Sequence, residues 1–424
     1  VTVFRLPSSL ALLPTLAIVP MLGPVVLAQT APPPLPLIAA PMGLPQLRGG
    51  IACPMLQQRI EAAVAGEASV WSITVADGVG RTLAEVNGDR PRRPASNQKL
   101  ISTAIALDRL GPDHRLTTEL WQLPDGTLRL QGSGDPTMGF PQLRRLAKLA
   151  AGSGGSSSEA TRLVRLQLEE EPVQRWYPQG WPMADRDYSY GAPVTRLALT
   201  ANAVDLSVPD PPGRLSRLLQ QELSRQGRRV VLEPVPAGTQ EPNGSVLLRS
   251  EPSESMHHLL SLANGESHNF TSEVLLREGT GSWVPGVYQQ RALEWLRAQG
   301  LPTDGVVIAD GSGLDRGDRA TSRLFSALLL RMAQHPYANN YFASMAVAGQ
   351  RGTLSNYFRG SSLDGRFSGK TGTISGVKSL SGRLLTADGP LYVSMISNGS
   401  SSPVTVFRQV LLASQRLSSC RPLT

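Results

Sequence analysis

The chain has 424 residues, enough for two domains or one large interrupted one, and its 41% hydrophobic content can fill an ordinary core although aromatics are few. The formal charge of +8 comes mostly from scattered arginines, with no Lys/Arg block, which argues against a nucleic-acid binder because such binding wants a clustered basic face. The balance suits a protein working near anionic polymers or membranes.

Arg5 precedes an apolar run ending in Val26-Leu27-Ala28 before Gln29, which reads as an export signal over residues 1–28. A membrane anchor is the alternative, but Pro7, Pro14, Pro20 and Pro24 make a poor spanning helix. Residues 29–50 are proline-rich and read as an extended linker. Leu56, Ile60 and Val64 then recur on one stripe after Pro54, the pattern of a helix. Trp71, Ile73 and Val75 alternate with polar residues, and Asp77-Gly78-Val79-Gly80 turns the chain into a second strand. Pro94 and a Ser/Asn cluster open a helix carrying Leu100, Ala104, Leu107 and Leu110.

From about 113 to 254 the texture changes to short strand-like pieces, Leu128-Arg129-Leu130, Leu197-Ala198-Leu199 and Val230-Val231-Leu232, separated by loops. Gly132-Ser133-Gly134-Asp135-Pro136 is turn chemistry, and Gly152 to Ser158 reads as a loop. This block is expected to be an insertion into the first domain. Beyond it, Met256, Leu259 and Leu260 precede a break at Gly265, and Phe270, Val274 and Leu275 open another helix. Asp310-Gly311-Ser312-Gly313 is a tight turn before a helix with Leu324, Leu328 and Met332. Strands are expected over Arg366–Ile374, Val377–Thr386 and Leu391–Ser397, and a closing helix on Phe407, Val410, Leu411 and Leu417. Cys53 and Cys420 either close a disulfide in an oxidising compartment or stay free and buried; no metal-ligand spacing is present.

Three short motifs carry the chemistry. Lysine stands only at 99, 148, 370 and 378, so 37 of the 41 basic residues are arginine. Only an amine can lose its proton near neutral pH, which singles out Lys99 and Lys370. The first motif, Ser96-Asn97-Gln98-Lys99, puts a serine and a lysine on one face of a helix's first turn. There the macrodipole and burial both disfavour the ammonium, as a proton acceptor for a hydroxyl requires. The second, Ser267-His268-Asn269, offers a hydroxyl and an amide on one side if the loop is extended; alone, it would read as helix capping. The third, Lys370-Thr371-Gly372-Thr373, supplies donors for a carboxylate, with a glycine that admits a substrate backbone alongside. Two decoys fail. Gly365 to Thr371 has three residues, not four, between its glycines and precedes a strand, so it is no phosphate loop. Ser375 and Lys378 lie three apart on a strand or hairpin and point to opposite faces. No G-x-S-x-G elbow occurs either.

With these motifs in order, the chain resembles the class C low-molecular-mass penicillin-binding proteins, the D-alanyl-D-alanine carboxypeptidase/endopeptidase family of penicillin-binding protein 4. Further matching stretches are Leu110 to Asp113, Gly132 to Thr137, Gly191-Ala192-Pro193, Asp310 to Leu314, Ala348-Gly349 with Gly352-Thr353-Leu354, and Leu380-Ser381-Gly382. Two departures are His268, where aspartate is common, and a 171-residue step from Ser96 to Ser267 that is shorter than usual. The resemblance implies an α/β (α+β) fold of β-lactamase/transpeptidase type. Its central antiparallel sheet is flanked by helices, over 51–112 and 255–424, and interrupted by a mainly β insertion over 113–254. It implies Ser96 as nucleophile, Lys99 as its base, Ser267 as proton relay beside Lys370, Asn269 on the substrate amide, and Thr371 and Thr373 on its carboxylate. The backbone N–H groups of Ser96 and Thr373 would form the oxyanion hole. Peptidoglycan stem peptides and β-lactams are the implied partners, in the periplasm, with no cofactor. A Cys53–Cys420 bridge would tie the first helix to the last. A non-catalytic peptidoglycan-binding protein and a β-lactamase are the rival readings.

Overall fold

The computed structural model describes residues 46–153, 163–416 and Cys420. The expected export signal, nearly all of the proline-rich linker, most of the Gly/Ser tract after Gly152 and Leu417 lie outside these residues.

α1 (Pro54–Ala63) starts on a proline, whose fixed φ suits a first turn, and buries Leu56 and Ile60. β1 (Trp71–Asp77) and β2 (Thr82–Val86) form a hairpin closed by Asp77, whose Oδ1 accepts from the N–H groups of Val79 and Arg81. A 3₁₀ turn, Ala95–Gln98, leads into α2 (Lys99–Leu110).

The next stretch builds its own sheet: β3 (Thr117–Gln122), β4 (Leu128–Gly132), α3 (Phe140–Gly152), β5 (Leu163–Glu170), α4 (Pro211–Ser224), β6 (Arg229–Pro236) and β7 (Val246–Pro252). The strand order is β6-β5-β4-β3-β7. β3 is antiparallel to β4 and β7, whereas β4–β5 and β5–β6 are parallel. Parallel neighbours need a crossover, and α3 and α4 supply the two. Neither helix is in the sequence reading, although Leu143, Leu146, Ala147 and Ala150, and likewise Leu215, Leu219 and Leu223, are buried at helical spacing. Leu197-Ala198-Leu199 is not a strand. It is irregular chain running into a turn with positive φ at Thr200, Ala201 and Asn202, and Leu197 and Leu199 fill the sheet's core without a ladder.

The remaining chain forms α5 (Met256–Asn264), α6 (Asn269–Thr280), α7 (Pro285–Ala298), α8 (Ser322–Ala333), α9 (Ala338–Ala343), β8 (Ala346–Val347), β9 (Phe367–Ile374), β10 (Val377–Thr386), β11 (Gly389–Asn398) and α10 (Pro403–Ser414). These strands join the first hairpin in an all-antiparallel sheet of order β2-β1-β11-β10-β9-β8. Both faces are covered, so every residue of β1 is buried. On one side α1 and α10 pack, with Phe407 edge-on to Trp71 at 5.7 Å. On the other, residues of α2 and α5 to α9 form a second core with Tyr392 and Ile396 of β11. Cys53 and Cys420 are disulfide-bonded, with 5.0 Å between their Cα atoms. No helix among the described residues is long and apolar enough to cross a membrane.

Candidate active site

Ser96 and Lys99 straddle the junction between the 3₁₀ turn and α2. The sequence suggests an α-helical first turn, but residues three apart eclipse in a 3₁₀ turn, which stacks the two side chains more directly. Lys99 Nζ lies 3.0 Å from Ser96 Oγ. Ala95 enters the turn at φ 47°, a left-handed conformation that alanine seldom adopts and that its surroundings must enforce. Ser379 Oγ donates to Pro94 O at 2.6 Å, Asn97 Nδ2 donates to Ser381 Oγ at 2.6 Å, and Gln98 Nε2 to Asp310 O at 3.3 Å. Two glycines press on the backbone itself. A Cβ on Gly313 would fall 1.9 Å from Ala95 O, and one on Gly372 would fall 2.8 Å from Pro94 O and 3.1 Å from Ser96 N.

That contact corrects the reading of Gly372. Its bare side is filled by the chain's own Pro94–Ser96 turn, not left open for a substrate backbone.

Lys99 is completely buried, and burial pushes its amine down to about 8, against the opposing pull of Asp310, Glu273 and Asp318. Its Nζ reaches Asn269 Oδ1 and Ser312 O, each at 2.6 Å, besides Ser96 Oγ. The first two can only accept, whereas the hydroxyl can also donate. A neutral amine, with two N–H bonds and one lone pair, satisfies this set completely when Ser96 donates to it.

Ser312 is held by Asp310. The Asp310 carboxylate accepts from the N–H groups of Ser312, Gly313, Leu314 and Asp315, from Ser312 Oγ, and from Trp181 Nε1 at 2.8 Å. Beside it, burial pushes Glu273 up to about 8 and raises Asp318 far above the usual carboxylate range. The turn Asp310 to Gly313 is therefore the mount for Lys99, a role its turn chemistry did not disclose.

Ser267 has φ 65°, so the second motif is not extended; α6 begins at Asn269 and is preceded by His268 in the N-cap position. Ser267 Oγ accepts from Lys370 Nζ at 2.9 Å, and neither Ser267 nor Asn269 caps the helix. The Asn269 amide is fixed at both ends, with Oδ1 on Lys99 and Nδ2 donating to Tyr190 O at 2.8 Å. His268 Nδ1 pairs with Thr271 Oγ1 at 2.7 Å, and burial, with the charge of Lys99, pushes its imidazole down to about 4. Lys370 is fully buried on β9, its amine driven well below the ordinary lysine value by burial and then by Lys99, and it also donates to Thr371 O at 2.7 Å. Thr371 Oγ1 donates to Thr353 Oγ1 at 2.8 Å.

A cavity of about 370 Å³ opens over Ser96, Ser267, Asn269 and Thr373. Asp185, Tyr190 and Arg316 also line it and are absent from the sequence reading. Asp185 and Tyr190 come from the 113–254 stretch, joined by a 2.9 Å bond from Tyr190 Oη to Asp185 Oδ1. Ser375 reaches the cavity too, but Lys378 Nζ donates to Thr373 Oγ1 at 2.9 Å, so the second Ser-x-x-Lys makes no nucleophile–base pair. A larger cavity of about 1060 Å³ lies between β6, α4 and the start of α7, walled by Leu168, Trp176, Leu215, Pro234 and Val284. The Ser96 machinery is not in it, so size does not decide the site.

The model of the D-Ala-D-Ala carboxypeptidase 3 (S13) family matches residues 56–214 and 204–410. The chain belongs to this family. It is 28% identical over 472 residues to the D-alanyl-D-alanine carboxypeptidase of Actinomadura sp. (strain R39), covering 87% of this chain and 84% of that protein. It is 27% identical over 357 residues to carboxypeptidase DacB of Mycolicibacterium smegmatis, covering 77% and 76%. Among solved structures, penicillin binding protein 4 of Haemophilus influenzae superposes with a TM-score of 0.72 at 18% identity, over 84% of this chain and 98% of that one. The class C resemblance and the antiparallel sheet flanked by helices stand on these matches.

Proposed function

We propose that this S13-family chain is a serine D-Ala-D-Ala carboxypeptidase/DD-endopeptidase acting on peptidoglycan stem peptides through an acyl-enzyme on Ser96. The observation that carries the residue assignment is the Ser96–Lys99 contact, made by a lysine whose other two partners can only accept. Lys99 takes the Ser96 proton as Oγ adds to the carbonyl of the penultimate D-Ala. The oxyanion forms between the N–H groups of Ser96 and Thr373; one such donor is typically worth about 100- to 1,000-fold in rate. As the C–N bond breaks, Ser267, bonded to Lys370, passes a proton to the leaving amine. Asn269 orients the substrate amide with its second Nδ2 hydrogen, and Thr373 holds the terminal carboxylate, joined by Thr371 once its hydroxyl turns from Thr353. Water then adds to the ester and regenerates Ser96. A β-lactam opens its ring amide by the same addition, but its amine stays tethered and the ester persists.

Residues 51–112 and 255–424 are taken as the catalytic unit and 113–254 as an insertion, because the two sheets draw their strands from these separate stretches. The disulfide and the leader-like first 28 residues support work outside the cytoplasm, in the periplasm. The test is covalent labelling by a fluorescent penicillin. Ser96→Ala is expected to abolish it and Ser375→Ala to leave it intact; labelling that survives loss of Ser96 rejects the assignment. Rapid nitrocefin turnover would favour the β-lactamase reading. Absence of stem-peptide turnover by the purified, unlabelled protein would favour a non-catalytic binder.

A further inference from the structure

Lys378 is one of only four lysines, and neither the acylation steps nor the core uses it. It stands on β10 directly opposite Thr373 of β9, and its Nζ donates to Thr373 Oγ1 at 2.9 Å. Thr373 is exposed and lines the cavity beside Ser96. Because its oxygen accepts from the ammonium, the threonine hydrogen is free to point outward as a donor. The ammonium keeps two further N–H bonds, and no carboxylate forms an ion pair with it among the described residues. A substrate carboxylate on Thr373 would therefore meet an uncompensated cation one hydroxyl away.

We propose that Lys378 is a specificity-determining residue that selects substrates with a free carboxylate at the leaving end, by polarising Thr373 and supplying the counter-charge. The inference rests on the function proposed above, which places that carboxylate on Thr371 and Thr373. A partly solvated charge of this kind acts on binding in ground and transition state alike, so its effect falls on KM more than on kcat. Arg316 at the cavity rim retains part of the attraction in any Lys378 variant.

The experiment uses the full chain and an N-acylated peptide ending in D-Ala-D-Ala, compared with the same peptide ending in a carboxamide. Lys378→Met is expected to raise KM for the carboxylate about five- to tenfold, with kcat nearly unchanged and KM for the carboxamide unmoved. Lys378→Arg keeps the charge and is expected to restore most of the loss. Equal changes on both peptides, or none on either, overturn the role of Lys378. Fluorescent-penicillin labelling of the unsubstituted protein runs alongside. Its failure would sink the acyl-enzyme reading itself, whereas labelled protein with an unmoved carboxylate preference sinks only the role of Lys378.

Discussion

In the proposed mechanism, Lys99 is the residue on which the reactivity turns. Its amine sits at about 8 because burial outweighs three neighbouring carboxyl groups, so the fraction able to accept a proton rises as pH climbs toward that value. Acylation by a β-lactam is therefore expected to increase with pH and level off above about 8, the acid limb belonging to Lys99. Lys99→Arg keeps a cation but cannot give up its proton, and is expected to lower the acylation rate by at least about 100-fold, measured by stopped-flow labelling. Asp310→Asn removes the negative charge that faces Lys99, and its expected signature is an acid limb moved to lower pH. A purely structural role for Asp310 would lower the rate without moving that limb. Glu273 gives a stability counterpart. Its carboxyl is raised from 4.5 to about 8, so its contribution is complete below 4.5 and lost as pH rises through about 8. Glu273→Gln is expected to match the parent protein's Tm near pH 4 and to exceed it by a growing margin as pH rises from 4.5 toward 8.

At the level of elements, the turn that carries Ser96 is clasped between the Asp310–Gly313 turn and β9. Gly372→Ala places a methyl 2.1 Å from Ser379 Oγ and against the Pro94 and Ser96 backbone. Acylation is expected to fall about 100-fold, because small misplacement of a nucleophile is costly, while the sheet survives. Gly286→Ala in α7 meets nothing within 4 Å and is expected to leave labelling alone and stabilise by up to about 1 kcal/mol in thermal unfolding. The same contrast explains what the chain discloses about itself. Ser96 and Lys99 are legible because three residues of spacing bring them together locally, and Ser267, Asn269 and Lys370 because each sits in a compact motif. The service of Asp310 to Lys99 passes through Ser312 O, and Asp185, Tyr190 and Arg316 reach the cavity from loops whose approach no local pattern encodes. α4 was hidden for a simpler reason. Pro211, Pro212 and Gly213 look like a loop, yet two prolines serve its first turn and Asp210 Oδ1 accepts from Gly213 N.

Across the whole molecule, the Cys53–Cys420 bond joins points 367 residues apart, one just before α1 and one beyond α10. A cross-link closing so long a loop restricts the unfolded chain strongly, by about 2–5 kcal/mol. Replacing both cysteines with serine is expected to lower Tm by several degrees while leaving penicillin labelling of the folded protein unchanged, since Ser96 lies in a different core. The clasp around Ser96 has a consequence in time. Its jaws lie more than 200 residues downstream of the serine they grip. A polypeptide still emerging from the ribosome or threading through a membrane thus carries the hydroxyl long before anything can ignite it. If Ser96 is the acylated residue proposed above, a β-lactam is expected to mark finished molecules alone, newly made chains staying unlabelled until their last strands dock.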